Sequence, residues 1–241
     1  AMGPDDPFPG NDLGQPVIVD GTWVPDGTVY VSGREHDGVD GYWAVTDGTD
    51  VAVSDIATPT TFNALKFGGT DRPNPVKCLI KVINELHVIS ENYIDVFRNV
   101  GGSGFPFQRI SSAVVTKGPI GTRTACVFEN RVAFLGGGRN EEPSVYLGFN
   151  AQSSKIASAE VDMILDEYTT AQLAAATVES QVARGMLRLY VHLPDRTLVY
   201  DAIMSAKMGF PVWHTRVSAI QGYSALRAQN FVRVNDVWVV G

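Results

Sequence analysis

The chain has 241 residues, of which 44% are hydrophobic and 19% charged, with a net charge of −7. This is a globular composition, not a disordered one; no run approaches the ~18 apolar residues that span a bilayer, and no signal-peptide pattern opens the chain. The 19 Lys and Arg are scattered singly, so the basic stripe that counterion release on nucleic acid requires is missing and direct DNA binding is not expected.

Ala1-Met2-Gly3 reads as a cloning remnant and residues 1–16 as a flexible arm rich in Pro, Gly and Asp, leaving 17–241 as the folded domain. Short strands are expected at Val17–Val19 and Val29–Ser32 around Pro25-Asp26-Gly27, then at Tyr42–Thr46 and Val51–Ser54 around the hairpin dipeptide Asp47-Gly48. Thr58–Pro75 reads as a proline-containing loop. Cys78–Ile83 and Leu86–Ser90 flank Asn84-Glu85, Tyr93–Arg98 adds a third strand, and Gly101-Gly102-Ser103-Gly104 closes the unit before Phe107–Ile110 and Ala113–Thr116.

The clearest block is Thr124–Phe149. Ala125–Phe128 and Val132–Leu135 are apolar runs joined by Glu129-Asn130, a hairpin; Gly136–Gly138 is expected to be a flexible turn that continues through Asn140 to Pro143 into a third strand, Ser144–Phe149. After a short run at Lys155–Ala157, helical spacing of Val161, Ile164, Leu165 and Tyr168 predicts a helix capped by Ser158, and Thr169 with Gln172 forms a capping box for a second. This insertion covers about 158–177. Strands return at Met186–Leu193 and Thr197–Asp201 around Pro194-Asp195-Arg196, then at Val212–Val217, Ser224–Ala228, Phe231–Val234 and Val237–Val240.

Turn markers at Asp47, Asn84, Asn130, Asp195 and Asn235 recur at intervals of 37, 46, 65 and 40 residues. Subtracting the roughly 20-residue insertion brings the longest interval near the spacing of four-stranded propeller blades. The expected fold is therefore all-β: a β-propeller-like repeat of antiparallel meander blades, about five units, with one short helical insertion. An antiparallel sandwich would also place turns at intervals.

Chemistry is sparse. Asp37, Asp40, Asp47, Asp50 and Asp55 cluster in sequence, but without EF-hand order they read as turn residues. His36, His87, His192 and His214 are too far apart to form a local metal motif. Gly102-Ser103-Gly104 fails the nucleophile-elbow frame because Phe105 stands at its last position, and the same glycines fail the dinucleotide pattern at Phe107. No catalytic residue, cofactor or metal is expected. Cys78 and Cys126 read as buried thiols, with a disulfide between them left open; Trp43, Trp213 and Trp238 read as packing residues.

The strings SKIASAEVDMILDEYTTAQLAA, GMLRLYVHLPDRTLVYDA and PVWHTRVSAI, read in order, resemble the packaged-DNA stabilisation proteins (tail accessory factors, or tail hubs) of short-tailed, P22-like bacteriophages. Val199-Tyr200-Asp201 and Trp213-His214-Thr215-Arg216 match features of that family, and Asp47–Asp50, Tyr93–Phe97 and Pro143–Tyr146 follow its order upstream. The resemblance covers about Val29–Gly241, and it implies further family sequence on either side. It also implies a virion structural role without catalysis, with assembly in the host bacterial cytoplasm. Such a protein attaches below the portal/adaptor ring, plugs the channel to retain packaged DNA, offers docking surfaces to tail needle and tailspike proteins, and self-associates in a ring when full length. Neither direct nucleic-acid binding nor a membrane partner is expected. The expected interface loops hold Gly101, Gly102, Phe105 and Phe107, and Arg139, Asn140 and Glu141. The alternative is a carbohydrate-binding or glycan-hydrolysing, sialidase-like propeller using Asp40, Asp47 and Asp50.

Overall fold

Short runs of β-branched and aromatic residues, each ended by a turn pair, leave most of this chain one economical arrangement: antiparallel strands joined to their neighbours in sequence. The computed structural model describes residues 18–19, 22–23, 39–46, 48–69, 74–218, 225–234 and 237–239. The expected strand Val29–Ser32, the Pro25-Asp26-Gly27 turn, and His36, Asp37, Asp47, Ser224, Asn235 and Val240 lie outside the described residues. Contacts divide the chain into two compact units, Ala1–Val88 with Asp95–Ser111, and Ile89–Ile94 with Ser112–Gly241.

A hairpin joins β1 (Ile18–Val19) to β2 (Thr22–Trp23). A three-stranded meander follows, made of β3 (Ala44–Thr46), β4 (Asp50–Asp55) and β5 (Thr58–Gly69), with Thr46 opposite Val51 across the turn. The expected loop from Thr58 is thus a long edge strand. Its Pro59 is tolerated because an edge needs no second ladder, and register shifts around Ser54 mark the bulging. The next sheet is a four-stranded meander, β6 (Val76–Val82), β7 (Glu85–Ser90), β8 (Tyr93–Asn99) and β9 (Phe107–Arg109). The first unit's core gathers Val39, Val51, Val53, Leu79, Leu86 and Phe97.

In the second unit a five-stranded sheet contains β10 (Gly118–Pro119), β11 (Ala125–Phe128), β12 (Arg131–Gly137), β13 (Ser144–Phe149) and β14 (Gln152–Lys155). Two strands share one edge of β12: Ala125–Phe128 pair with its first half, and Gly118 and Pro119 with Gly137 and Gly136. Gly136 and Gly137 are therefore ladder residues and not the flexible turn expected from sequence. Gly136 is glycine for space, since a Cβ there would collide with the Gly118 carbonyl oxygen and the Pro119 and Ile120 backbone.

Helices α1 (Ala159–Leu165) and α2 (Thr170–Ala174) fall in the expected insertion. The Ser158 cap and the complete Thr169–Gln172 capping box are both present. Beyond them β15 (Thr177–Ala183), β16 (Met186–His192) and β17 (Thr197–Asp201) run in order. A third helix, α3 (Ala202–Met208), precedes the edge strand β18 (Trp213–Arg216). The final hairpin is β19 (Val232–Val234) with β20 (Val237–Val239).

Asn84 and Asn130 each occupy the first turn of their sheet, but Asp195 occupies the second turn of its own, where the first is Arg184-Gly185. The sequence ruler therefore slipped by one strand there, because β15 is polar and was not read. Among the described residues there are four sheets of three or more strands and two hairpins. One core unites the last two large sheets with the helices, through Phe128, Leu135, Leu147, Val161, Leu165, Leu173, Val191 and Leu198. Cys78 is buried as expected, Cys126 is only half-buried, and no disulfide joins them.

Candidate functional site

In the first unit, the Gly101–Phe107 loop is built to expose backbone. Gly101 and Gly102 take left-handed φ values of 73° and 128°, the Gly101 N–H donates to Asn99 Oδ1 at 2.9 Å, and Val100 N–H closes the loop on the Pro106 carbonyl at 2.8 Å. Gly101, Gly102 and Ser103 are exposed. The two aromatics of the loop point the other way. Phe107 is buried in β9 and contacts Tyr42 edge-on at 5.7 Å; Phe105 packs on Phe97 and Phe107 and fills the space above Gly68. Of this expected interface quartet the glycines are fully exposed, Phe105 is half-buried and Phe107 is buried; the phenylalanines anchor the loop.

The second expected loop lies between β12 and β13 in the other unit. Arg139, Asn140 and Glu141 are all exposed, and Asn140 takes the left-handed φ of 62° that the turn needs. Glu141 organises the loop. Its carboxylate accepts from Lys117 Nζ and from the Gly138 N–H at 3.1 Å, and these bonds, Lys117 first, hold its pKa below the ordinary carboxylate value. Lys117 also sits 4.9 Å over the Tyr146 ring. Arg139 and Asn140 are thus presented on a braced turn, while Glu141 is engaged within it.

A third polar cluster was not read from sequence. Glu179 of β15, His192 of β16 and Thr197 of β17 are all buried, and they form a carboxylate–imidazole–hydroxyl series. His192 Nδ1 lies 3.2 Å from Thr197 Oγ1, and its Nε2 lies 3.9 Å from Glu179 Oε2, too far for a hydrogen bond. Burial lowers the imidazole pKa against the opposing pull of Glu179. The composition resembles a nucleophile triad, but the hydroxyl is sealed from solvent and already accepts the Leu226 N–H at 3.1 Å. Glu179 accepts the N–H groups of Asn230 and Phe231 at 2.8 and 3.2 Å. Glu179 and Thr197 fasten backbone N–H groups, and His192 packs between them against the Thr197 hydroxyl.

The carboxylates of the glycan alternative fare similarly. Asp40 occupies the tight turn between Val39 and Tyr42 at φ 51°, Asp50 opens β4, and its carbonyl accepts from Thr46 Oγ1 at 2.7 Å. Asp47 lies outside the described residues. Among the described residues no three His, Cys, Asp or Glu side chains converge as a metal site.

The helical insertion is bolted to the sheets on either side of it. Asp162 accepts from Ser144 Oγ at 2.6 Å and pairs with Lys155 at 2.5 Å, Tyr168 OH donates to Asp195, and Arg196 bridges Glu167 and Asp195 at 3.1 Å each. Trp213 of the Trp-His-x-Arg segment donates its indole N–H to the Ile156 carbonyl at 2.7 Å. The motif that carries the resemblance therefore ties β18 to the segment ahead of the insertion.

Comparison with known proteins gives this architecture its context. The tail hub protein gp10 of Salmonella phage P22 is 34% identical over 102 residues, a match covering 42% of this chain and 21% of that protein. The chain thus spans only part of the length of that relative. A family model described as "Bacteriophage P22 Gp10, beta-propeller" matches residues 29–241. With meander sheets throughout and that match across most of its length, the chain belongs to the bacteriophage P22 Gp10 β-propeller family.

Proposed function

We propose that the chain is the propeller portion of a phage tail hub, a structural virion component acting through protein interfaces and without catalysis. The family match over residues 29–241 carries this reading, together with the similarity to a protein named as a tail hub. The hub attaches below the portal and adaptor ring, plugs the channel so that packaged DNA stays inside, and offers surfaces to the tail needle and tailspikes. Copies of the full-length protein self-associate in a ring. The domain 17–241 expected from sequence carries the sheets that hold these surfaces.

Physical features support this. A net charge of −7 suits retention of DNA by obstruction more than by contact. The exposed Gly101-Gly102-Ser103 tip and the braced Arg139-Asn140 turn are loops on rigid sheets, where recognition is commonly placed. The test is sedimentation of the full-length protein with portal–adaptor particles: co-pelleting at a fixed ratio is expected, and its absence at micromolar concentration would sink the reading. Arg139→Ala with Asn140→Gly, which keeps the left-handed φ accessible, is expected to weaken co-pelleting at least tenfold without changing the melting temperature.

A further inference from the structure

One end of sheet β15–β18 carries an apolar surface on a fixed base. The β15–β16 turn sets Ala183 opposite Met186, and β17 runs back to the same end, with Asp201 opposite Arg188. There α3 is held from beneath. Asp201 caps it through the Met204 N–H, Ser205 Oγ donates to the Asp201 carbonyl and accepts the Val212 N–H at 2.8 Å, and Ala202 enters the core. The Arg188 guanidinium links strand to helix, donating to Met186 Sδ while lying 3.7 Å from Asp201 Oδ2.

The outward side of this anchored helix is apolar. Ile203 and Met204 stand one turn ahead of Lys207 and Met208, so the four form a continuous stripe, and Phe210 follows the left-handed Gly209. Ile203, Met204, Met208 and Phe210 are 36%, 42%, 55% and 56% exposed, and Met186 is 44% exposed. Three of the chain's five methionines thus gather at one end of one sheet. A helix that met only water would lose nothing in propensity by carrying Glu or Gln at these positions. Thioethers and an aromatic on an anchored support are what an adaptable docking face uses, and a stripe at i, i+4 spacing accepts the ridge of another helix.

The charge around the patch selects its occupant. Within residues 182–188 and 201–210 the cations are Arg184, Arg188 and Lys207, and the one carboxylate, Asp201, is engaged by Arg188 and the helix cap. Arg184 and Lys207 are exposed. This end is therefore positive on a chain whose net charge is −7, and its complement is a surface with apolar anchors flanked by carboxylates. We propose that Met186, α3 and Phe210 form a docking site for an acidic amphipathic helix of a partner protein, its apolar side chains on the methionines and its carboxylates toward Arg184 and Lys207. This rests on the reading that the chain acts through protein interfaces.

The test titrates the full-length protein into a fluorescein-labelled peptide of about 18 residues, with Leu at i, i+3, i+4 and i+7 spacing and Glu elsewhere, beside a twin with Lys in place of Glu. By anisotropy the glutamate peptide should bind at least tenfold more tightly than its twin, and less tightly as salt rises. Met204→Gln with Met208→Gln, which keeps side-chain length and helix propensity, should weaken it about tenfold, and Arg184→Gln with Lys207→Gln should bring the two peptides within about threefold of each other. A further readout needs no variant: hydrogen peroxide should oxidise Met204 and Met208 of the wild-type protein at least fivefold more slowly under saturating glutamate peptide. Equal binding of the two peptides, no binding at about 100 μM, indifference to the methionine changes, or unslowed oxidation would overturn the proposal. Loss of the free protein's self-association in the methionine variant would overturn it too, by making a second copy the occupant. Wild-type co-pelleting with portal–adaptor particles is scored separately, so failure of this site and failure of the hub reading are distinguishable.

Discussion

His87 is buried in β7, and neither ring nitrogen has a hydrogen-bond partner among the described residues. Burial drives its pKa from 6.5 to about 4, and the Glu85 carboxylate 3.8 Å away does not offset this, so the ring is neutral at pH 7. Because the folded-state pKa is depressed, the unfolded chain takes up the proton first as pH falls. Stability is full above pH 6.5 and is lost toward pH 4, by about 2 kcal/mol between pH 7 and pH 5. His192 acts in the same direction. His87→Leu should therefore flatten the acid limb of the stability profile and be neutral or stabilising at pH 7, as urea unfolding at the two pH values would show. A second prediction concerns glycine. A Cβ at Gly118 would strike the Ser90 carbonyl and one at Gly121 the Ala174 carbonyl, so either change to Ala should cost on the order of 3 kcal/mol or more. Gly101→Ala, with open space but left-handed φ, should cost about 1 kcal/mol.

Among the elements, the helical insertion was legible because its signals are local: a cap, a capping box and one apolar face. Thr169→Ala should remove the bond from the Gln172 N–H to the Thr169 hydroxyl, keep the backbone Thr169 N–H on Gln172 Oε1, and lower stability by about 1 kcal/mol, measurable by thermal unfolding. Strand β15 was not legible. Thr177–Ala183 reads TVESQVA, and its Glu179 lies inward only because segment 225–231 caps it from a position some 50 residues away in sequence. Helix α3 was missed for a related reason. Asp201 ends β17 and also caps α3 by accepting the Met204 N–H at 2.9 Å. Gly209, at φ 76°, terminates that helix. Of the expected interface loops, exposure at Gly101, Gly102, Arg139, Asn140 and Glu141 could be read from turn composition. The inward turn of Phe105 and Phe107 could not, since it depends on Phe97, Tyr42 and the missing side chain of Gly68.

For the molecule as a whole, the charge balance leads to a direct expectation. The full-length protein should not retard double-stranded DNA in a mobility assay at 50 mM salt, and a salt-sensitive shift would count against retention by obstruction. The β-propeller class, the insertion and the family segments were all present in residue order: turn pairs, periodicity of two and one stretch of helical spacing are properties of neighbours in sequence. Long-range pairing decided the rest. It put β10 and β11 in series on one edge of β12, made edge strand β5 from a proline-containing stretch, and moved the Asp195 marker to the second turn of its sheet. It also brought Glu179, His192 and Thr197 together beneath Phe231. Hydrogen-bond satisfaction inside a core is settled by whatever packs above it, and no local pattern encodes that partner.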